Sequence, residues 1–186
     1  MIWLKKIFDW TFDILETVAF VGSLFIVVYL FILRPHKVQG MSMFATFHDG
    51  DYILTSKLSF RFQPPRVGDV VVFKSPGNKD IEYIKRIIGL PGDRVMVKSG
   101  EVILNGKTLN ENYNYTKTFT FDPGFMREGV EILVPNGYVV AMGDNRNGSS
   151  DSRIFGPVPM DEIVGKVFYR YLPPNRIGKI ENPYQK

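Results

Sequence analysis

The sequence contains no cysteine. Disulfide bonds, thiol nucleophiles and zinc-thiolate sites are therefore excluded. It has only two histidines, His36 and His48, so a multi-histidine metal site is not expected. Charge imbalance is also small. The 23 Lys and Arg stand against 19 Asp and Glu, a surplus of +4, too weak to point to nucleic acid and compatible with anionic lipid. Repeats and low-complexity tracts are missing. From Val18 to Leu33, in VAFVGSLFIVVYLFIL, no residue is charged. About 20 helical residues at roughly 1.5 Å each cross the hydrocarbon core of a bilayer, and counting back to Ile14 adds only Glu16 as an interruption.

Three readings of that run compete. A cleavable signal peptide needs small residues just after it, and LRPHKV has none. A helix packed on the core of a small domain shows a polar face, which this run lacks. The expectation is a transmembrane anchor over residues 17–34. Before it, Trp3, Ile7, Trp10 and Ile14 recur at helical spacing, which predicts an amphipathic interfacial or cytoplasmic segment over residues 1–16. Lys5 and Lys6 on one side are matched by Arg34 and Lys37 on the other, so charge alone sets no orientation.

Residues 35–186 read as strands. Turn signals such as PPRVGD, LPGD, LNGK and GDNRNG alternate with short apolar runs such as DVVVF, EYIKRII and YVVAM. That rhythm predicts a mainly β domain, a barrel or sandwich. In EVILNGKTL, Asn105-Gly106 between two alternating runs is a strong hairpin signal. The turn-rich, aromatic stretch ENYNYTKTFTFDPGFMREG belongs to an inserted lobe or long loop, about residues 94–135.

Four segments carry candidate chemistry: VQGMSMFATF with Ser42, VGDVVVF, YIKRIIGLPGD with Lys85, and GDNRNGSSDSR. A hydroxyl nucleophile needs a base within hydrogen-bond reach. His36, just past Leu33, reads as a cap or anchor of the span, and His48 in HDGD as a solvated turn residue. Lys85 is the better base. On an alternating strand it shares a face with Ile81, Tyr83 and Ile87. Such a lysine either snorkels to water or is desolvated, and desolvation favours the neutral amine. On these residues alone both outcomes stay open. Gly68 and Asp69 look like turn residues at the start of a strand.

Taken together, and in this order, GMSM, YIKRIIGLPGD and GDNRNGSSDSR resemble the bacterial type I signal peptidases. These are membrane-anchored Ser-Lys endopeptidases that remove signal peptides from exported proteins. The resemblance covers Val38 to Gly165 and the anchor before it. It implies that Ser42 is the nucleophile, Lys85 the general base and Ser149 the hydroxyl that orients the amine. It implies that Asp144 pairs with Arg86 and Asp151 with Arg153, although turn-stabilising bridges without catalytic effect are an equal reading of those charges. Val38, Gly40, Met43, Phe47, Glu82, Tyr83 and Ile84 are the implied substrate-binding residues, with ordinary β-core competing for Val38 and Ile84. The substrate would add a strand beside Glu82–Lys85 and the segment before Ser42, presenting small side chains in an A-x-A-like pattern.

The implied partners are preprotein signal peptides and membrane lipid, with no cofactor, metal or nucleic acid. The implied location is the bacterial plasma membrane, single-pass, with the N-terminus cytoplasmic and the β domain outside. Phe60, Phe62, Phe119, Phe121 and Phe125 are candidates for dipping into lipid, with a packed core the equal or better reading. Two positions depart from the family pattern. Ala45 stands where proline is usual, and Gly40 stands where some members carry a hydroxyl donor, which leaves the oxyanion to the Ser42 N–H and a water. Two alternatives remain: an inactive relative that binds exported chains, and a self-cleaving regulator, which would need a DNA-binding domain where the apolar run lies.

Overall fold

The apolar N-terminus forms one helix, α1 (Ile2–Phe31). No Gly-Pro or Asn-Gly breaker interrupts it, and it ends before Pro35, whose ring disfavours helical geometry at the residue ahead of it. The window Phe8–Val27, with mean hydropathy 1.6, is long and apolar enough to cross a membrane. The helix shows no break at residues 16 and 17, where the expected interfacial segment would have given way to the span. The computed structural model describes residues 2–31, 33–114 and 116–185. The side chains of Ile7 and Phe62, two of the residues in the readings above, lie outside the described residues. Two units make up the chain, Met1–Arg34 and Pro35–Lys186.

The second unit is built on β1 (Arg34–Lys37), β2 (Tyr52–Ser56), β3 (Val70–Lys74), β4 (Glu82–Gly89), β5 (Arg94–Lys98), β6 (Glu101–Leu104), β7 (Lys107–Thr108), β8 (Ile132–Leu133), β9 (Tyr138–Met142), β10 (Val158–Pro159), β11 (Ile163–Leu172) and β12 (Gly178–Lys179). Eight of them form one sheet in the order β1-β2-β11-β3-β4-β9-β10, with β12 beside β11. The stretch read as an inserted lobe contributes a second, four-stranded sheet, β7-β6-β5-β8. Its β6–β7 hairpin turns at Asn105 (φ 52°) and Gly106 (φ 77°), the two left-handed positions that an Asn-Gly turn supplies.

The run VVVF is apolar on both faces because β3 is buried on both. Val70 and Val72 pack with Phe47, Ile53 and Val167 on one side. Val71 and Phe73 pack with Ile87, Ala141 and Ile163 on the other. The alternation continues along β4 and β9, where Ile88, Val140 and Met142 turn to the smaller sheet. Phe60 packs against the core, whereas Phe119, Phe121 and Phe125 are exposed.

A closed barrel is not formed. The β1 strand ends the sheet, and β4 is paired with β9 only from Arg86 onward, although it pairs with β3 from Glu82. The other edge of Glu82–Lys85 is therefore open. Yet His36 on β1 meets Glu82 on β4 at 2.9 Å, although β2, β11 and β3 lie between those strands in the order. Strand twist has coiled the sheet back on itself, and it stops short of closure at a seam between β1 and β4.

Phe73 is fully buried, edge-on to the rings of Tyr83 and Phe155. Phe73→Ala should lower stability by about 3–5 kcal/mol, measurable as a lower midpoint of thermal unfolding followed by circular dichroism.

Candidate active site

The seam holds the chemistry. A cleft of about 250 Å³ runs along it from Ser42 and Lys85 to His36 and Glu82, with Val38, Tyr83 and Ile84 on its walls. Ser42 lies in the turn after β1, and Lys85 is on the open half of β4. Lys85 Nζ is 2.8 Å from Ser42 Oγ and donates to the Ile84 carbonyl at 2.9 Å. It also lies 5.1 Å from the centroid of the Tyr83 ring. Lys85 is only 3% exposed. Burial lowers its pKa from 10.5 to about 8, against the opposing pull of the Asp151 and Asp144 charges. The strand lysine is thus the desolvated one, not the snorkelling one. A neutral amine this close to a hydroxyl can take its proton.

Two buried ion pairs lock the elements around the dyad. Arg86 grips Asp144 with both arms of its guanidinium, Nε to Oδ1 at 2.8 Å and Nη2 to Oδ2 at 2.6 Å. Burial would lower the Arg86 pKa, but the hydrogen bond and charge of Asp144 raise it above the ordinary value. Arg153 grips Asp151 through Nε and Nη2, each at 2.8 Å. Burial pushes the Asp151 carboxyl up. The bonds and charge of Arg153, with the Gly143 N–H, outweigh that and hold it below the usual range. Asp151 also accepts from its own helix start at Arg153 N–H, capping the short helix α2 (Ser152–Phe155).

Ser149 Oγ is buried and has no hydrogen-bond partner among the described residues. It lies beneath Gly143, where an added Cβ would collide with Ser149 Oγ and the Ser42 carbonyl. Only glycine lets those two groups come so close. Gly40 (φ 82°) gives its N–H to Asp49 at 2.8 Å, so that amide is already engaged.

Several sequence readings are revised. Met43 and Phe47 do not line the cleft; both are buried in the core behind it, because the turn after Ser42 folds them under β2 and β3. His48 is not a solvated turn residue. Its ring packs edge-on to Phe44 at 4.9 Å, and its Nδ1 is buried. Gly68 is more than a turn residue, since its carbonyl accepts from Arg86 at 2.8 Å. Asp69 is buried and bonded to Lys166 and Asn182, both at 2.8 Å.

Other residues of the site were missed. Arg146 is 0% exposed. It joins the Gly143 carbonyl to Glu111 and Thr118 of the lobe. Thr46 donates to Asp144 at 2.5 Å and accepts from Arg86. The Asn145 N–H and side chain hold the Ser42 and Met41 carbonyls at 3.0 and 3.1 Å. The Arg86 guanidinium carbon lies over the Tyr113 ring, 4.1 Å from its centroid. Arg146 and Asn145 sit inside GDNRNGSSDSR, so their motif was visible. Nothing local marked Glu111 or Tyr113. Among the described residues no group of three or more His, Cys, Asp or Glu is placed to hold a metal ion.

Comparison with known proteins gives a consistent set of relatives. The sequence model of the family described as signal peptidase, peptidase S26, matches residues 10–172. Signal peptidase IB of Staphylococcus aureus (strain COL) is 35% identical over 190 residues, covering 96% of each chain. A probable signal peptidase I-1 of Synechocystis is 35% identical over 157 residues, covering 81% of this chain and 76% of its own. The crystal structure of a signal peptidase I from Enterococcus faecalis V583 superposes on 56% of this chain and 97% of its own, at 32% identity and a TM-score of 0.48.

The buried lysine has a consequence for stability. Its pKa is 10.5 when unfolded and about 8 when folded. Below about 8 both states carry the proton, and the folded state bears the full desolvation cost. Between about 8 and 10.5 the unfolded chain binds more protons, so stability rises with pH there. Lys85→Met should therefore raise stability at pH 7 by on the order of 3 kcal/mol, seen as a higher unfolding midpoint. The gain should shrink toward pH 10, and thermal unfolding at the two pH values checks it.

Proposed function

The chain belongs to the signal peptidase family, peptidase S26, and we propose that it carries out the family's hydrolysis with Ser42 as nucleophile and Lys85 as general base. It is a serine peptidase that removes signal peptides, and its substrates are preproteins that carry them. The observation that carries the residue assignment is the 2.8 Å contact between the Ser42 hydroxyl and a buried lysine whose pKa has fallen to about 8.

The reaction follows from that contact. Neutral Lys85 takes the Ser42 proton as Oγ attacks the carbonyl carbon of the scissile bond. The Ser42 N–H faces the developing oxyanion. The Lys85 ammonium then gives its proton to the leaving nitrogen, the C–N bond breaks, and an ester to Ser42 remains. A water, deprotonated by Lys85, hydrolyses that ester and restores both groups. The Arg86–Asp144 and Arg153–Asp151 pairs hold the strand and the loop that carry this chemistry within the tolerance of proton transfer. Ser149 Oγ, buried and unpartnered beside Ser42, is the hydroxyl that steadies the amine once substrate closes the cleft. The open edge of Glu82–Lys85 receives the substrate as an added strand. Val38, Tyr83 and Ile84 lie along that strand's path.

The helix α1 has the length and composition of a membrane span, and we place the catalytic unit on the extracytoplasmic side of the bacterial plasma membrane. Ser42, nine residues past Leu33, is suited to a cut site that emerges close to the bilayer. Exposed Met41, Phe44, Phe119 and Phe125 present apolar surface to lipid.

Three outcomes are expected. Cleavage of a preprotein with an A-x-A site should be retained by the parent and reduced at least about a thousandfold in Ser42→Ala and in folded Lys85→Met. The kcat/KM of the parent should rise as pH increases through about 8, because the neutral amine is the active form; a flat profile across that range would remove Lys85 from the role. Protease added to intact spheroplasts should degrade the catalytic unit, and full protection would reverse the orientation.

A further inference from the structure

The turn that carries Ser42 is held at Thr46 by two separate groups, and only one of them enters the mechanism above. The Thr46 hydroxyl meets the Asp144–Arg86 pair. The Thr46 carbonyl accepts from Arg170 Nη1 at 2.8 Å. Arg170 lies on β11, opposite Ile53 of β2. Its Nε donates to the Arg176 carbonyl at 2.6 Å, and its Nη1 also reaches Asp51 Oδ2 at 3.2 Å. Asp51 is fully buried where the loop from β1 returns to β2. There its carbonyl accepts from the Val38 N–H at 2.8 Å, and its carboxylate accepts from the His48 N–H at 3.0 Å. None of Thr46, Asp51 and Arg170 lines the cleft.

Backbone bonds make the turn one piece. The Phe44 N–H donates to the Met41 carbonyl at 3.1 Å and the Phe47 N–H to the Met43 carbonyl at 2.8 Å, while Met43 and Phe47 are packed in the core. A shift at Thr46 is therefore passed to Ser42, whose hydroxyl has to stay within reach of Lys85 Nζ at 2.8 Å. A misplacement of about 1 Å can cost about a hundredfold in rate. The Asp144–Arg86 pair fixes Thr46 from the side of β4, and Arg170 fixes it from β11. A guanidinium has enough donors to serve two carbonyls and a carboxylate at once. Arg176 also grips Asp51, Nη2 to Oδ1 at 2.6 Å. Among the described residues, however, the Arg176 guanidinium makes no hydrogen bond to the turn.

We propose that Arg170 is a positioning residue for the reaction, which holds the Thr46 carbonyl from β11 and so sets the approach of the Ser42 hydroxyl to the Lys85 amine. This rests on the peptidase reading above.

The test compares the full-length parent with Arg170→Met, Arg170→Lys and Arg176→Met in lipid, on a preprotein with an A-x-A site, across the pH range that titrates Lys85. In Arg170→Met, kcat should fall at least about tenfold, with KM within about twofold of the parent's. The rise of activity with pH should stay centred near 8, since the charges that act on Lys85 are those of Asp151 and Asp144. Arg170→Lys keeps the charge but loses the fork of donors, and should recover part of the lost kcat. Arg176→Met also leaves Asp51 with one arginine; its unfolding midpoint should fall, but its kcat should stay within about twofold of the parent's. Should Arg170→Met fail to fold, Arg170→Lys is read by the same kcat, KM and pH criteria, with a fall of at least about threefold expected. A smaller fall in kcat, a fall carried by KM, a displaced pH midpoint, or an equal fall in Arg176→Met overturns the inference and leaves the peptidase reading in place. A parent that does not cut overturns both.

Discussion

An ammonium that loses its water gives up its proton more readily, and the site depends on that fact at Lys85. The side chain is sealed by the Tyr83 ring, the Ile84 backbone and the Ser42 turn, with Asp144 and Asp151 near enough for their charges to act on it. Those two carboxylates oppose its deprotonation. Arg86 and Arg153 bind them tightly and reduce the field that reaches the amine. The amine is tuned by this balance: burial pulls its pKa down and partly neutralised acids pull it back up, leaving it near 8.

The same arginines explain how so few residues join so many distant segments. Arg86, Arg146 and Arg153 are among the largest fully buried side chains in the protein. Buried ion pairs are poor sources of stability compared with apolar packing, yet breaking one by removing a partner typically costs about 3–5 kcal/mol. Their value is geometric. Arg86 ties the lysine strand to the loop at Asp144 and to the Gly68 carbonyl. Arg146 ties that loop to the lobe through Glu111. Arg153 ties the end of the loop to the Phe119 and Arg146 carbonyls. A planar guanidinium with five donors can make such a junction where an apolar side chain cannot.

The unfinished barrel unites fold and function. A sheet that closed fully would have no free edge near Lys85, and one that lay flat would not enclose the lysine. Coiling without closure does both. It leaves an open strand edge beside an apolar-walled cleft that holds Ser42 and Lys85. The C-terminal segment reinforces the arrangement. Asn182 bonds to the Val67 carbonyl and to Asp69 at the start of β3, and Tyr184 meets Tyr113 beneath Arg86 at 3.1 Å.

The sequence by itself determined the apolar helix, the strand-rich character of the remainder and the Asn105-Gly106 hairpin, and it singled out Ser42 and Lys85, which the fold brings together. Each of these is written in local patterns: an uncharged run, period-two alternation, a turn dipeptide, and motifs whose residues lie within about ten positions of one another. Only the tertiary structure decided that the sheet stays open, that Met43 and Phe47 belong to the core, that His36 faces Glu82, and that Glu111 and Tyr113 support the site from the lobe. These depend on how far the sheet coils and which side of a turn faces inward, quantities set by packing between strands distant in sequence. Lys85 shows both sides of the division. Its position on an apolar strand face was legible, but whether its amine reached water or Ser42 depended on the turn that folds back over it.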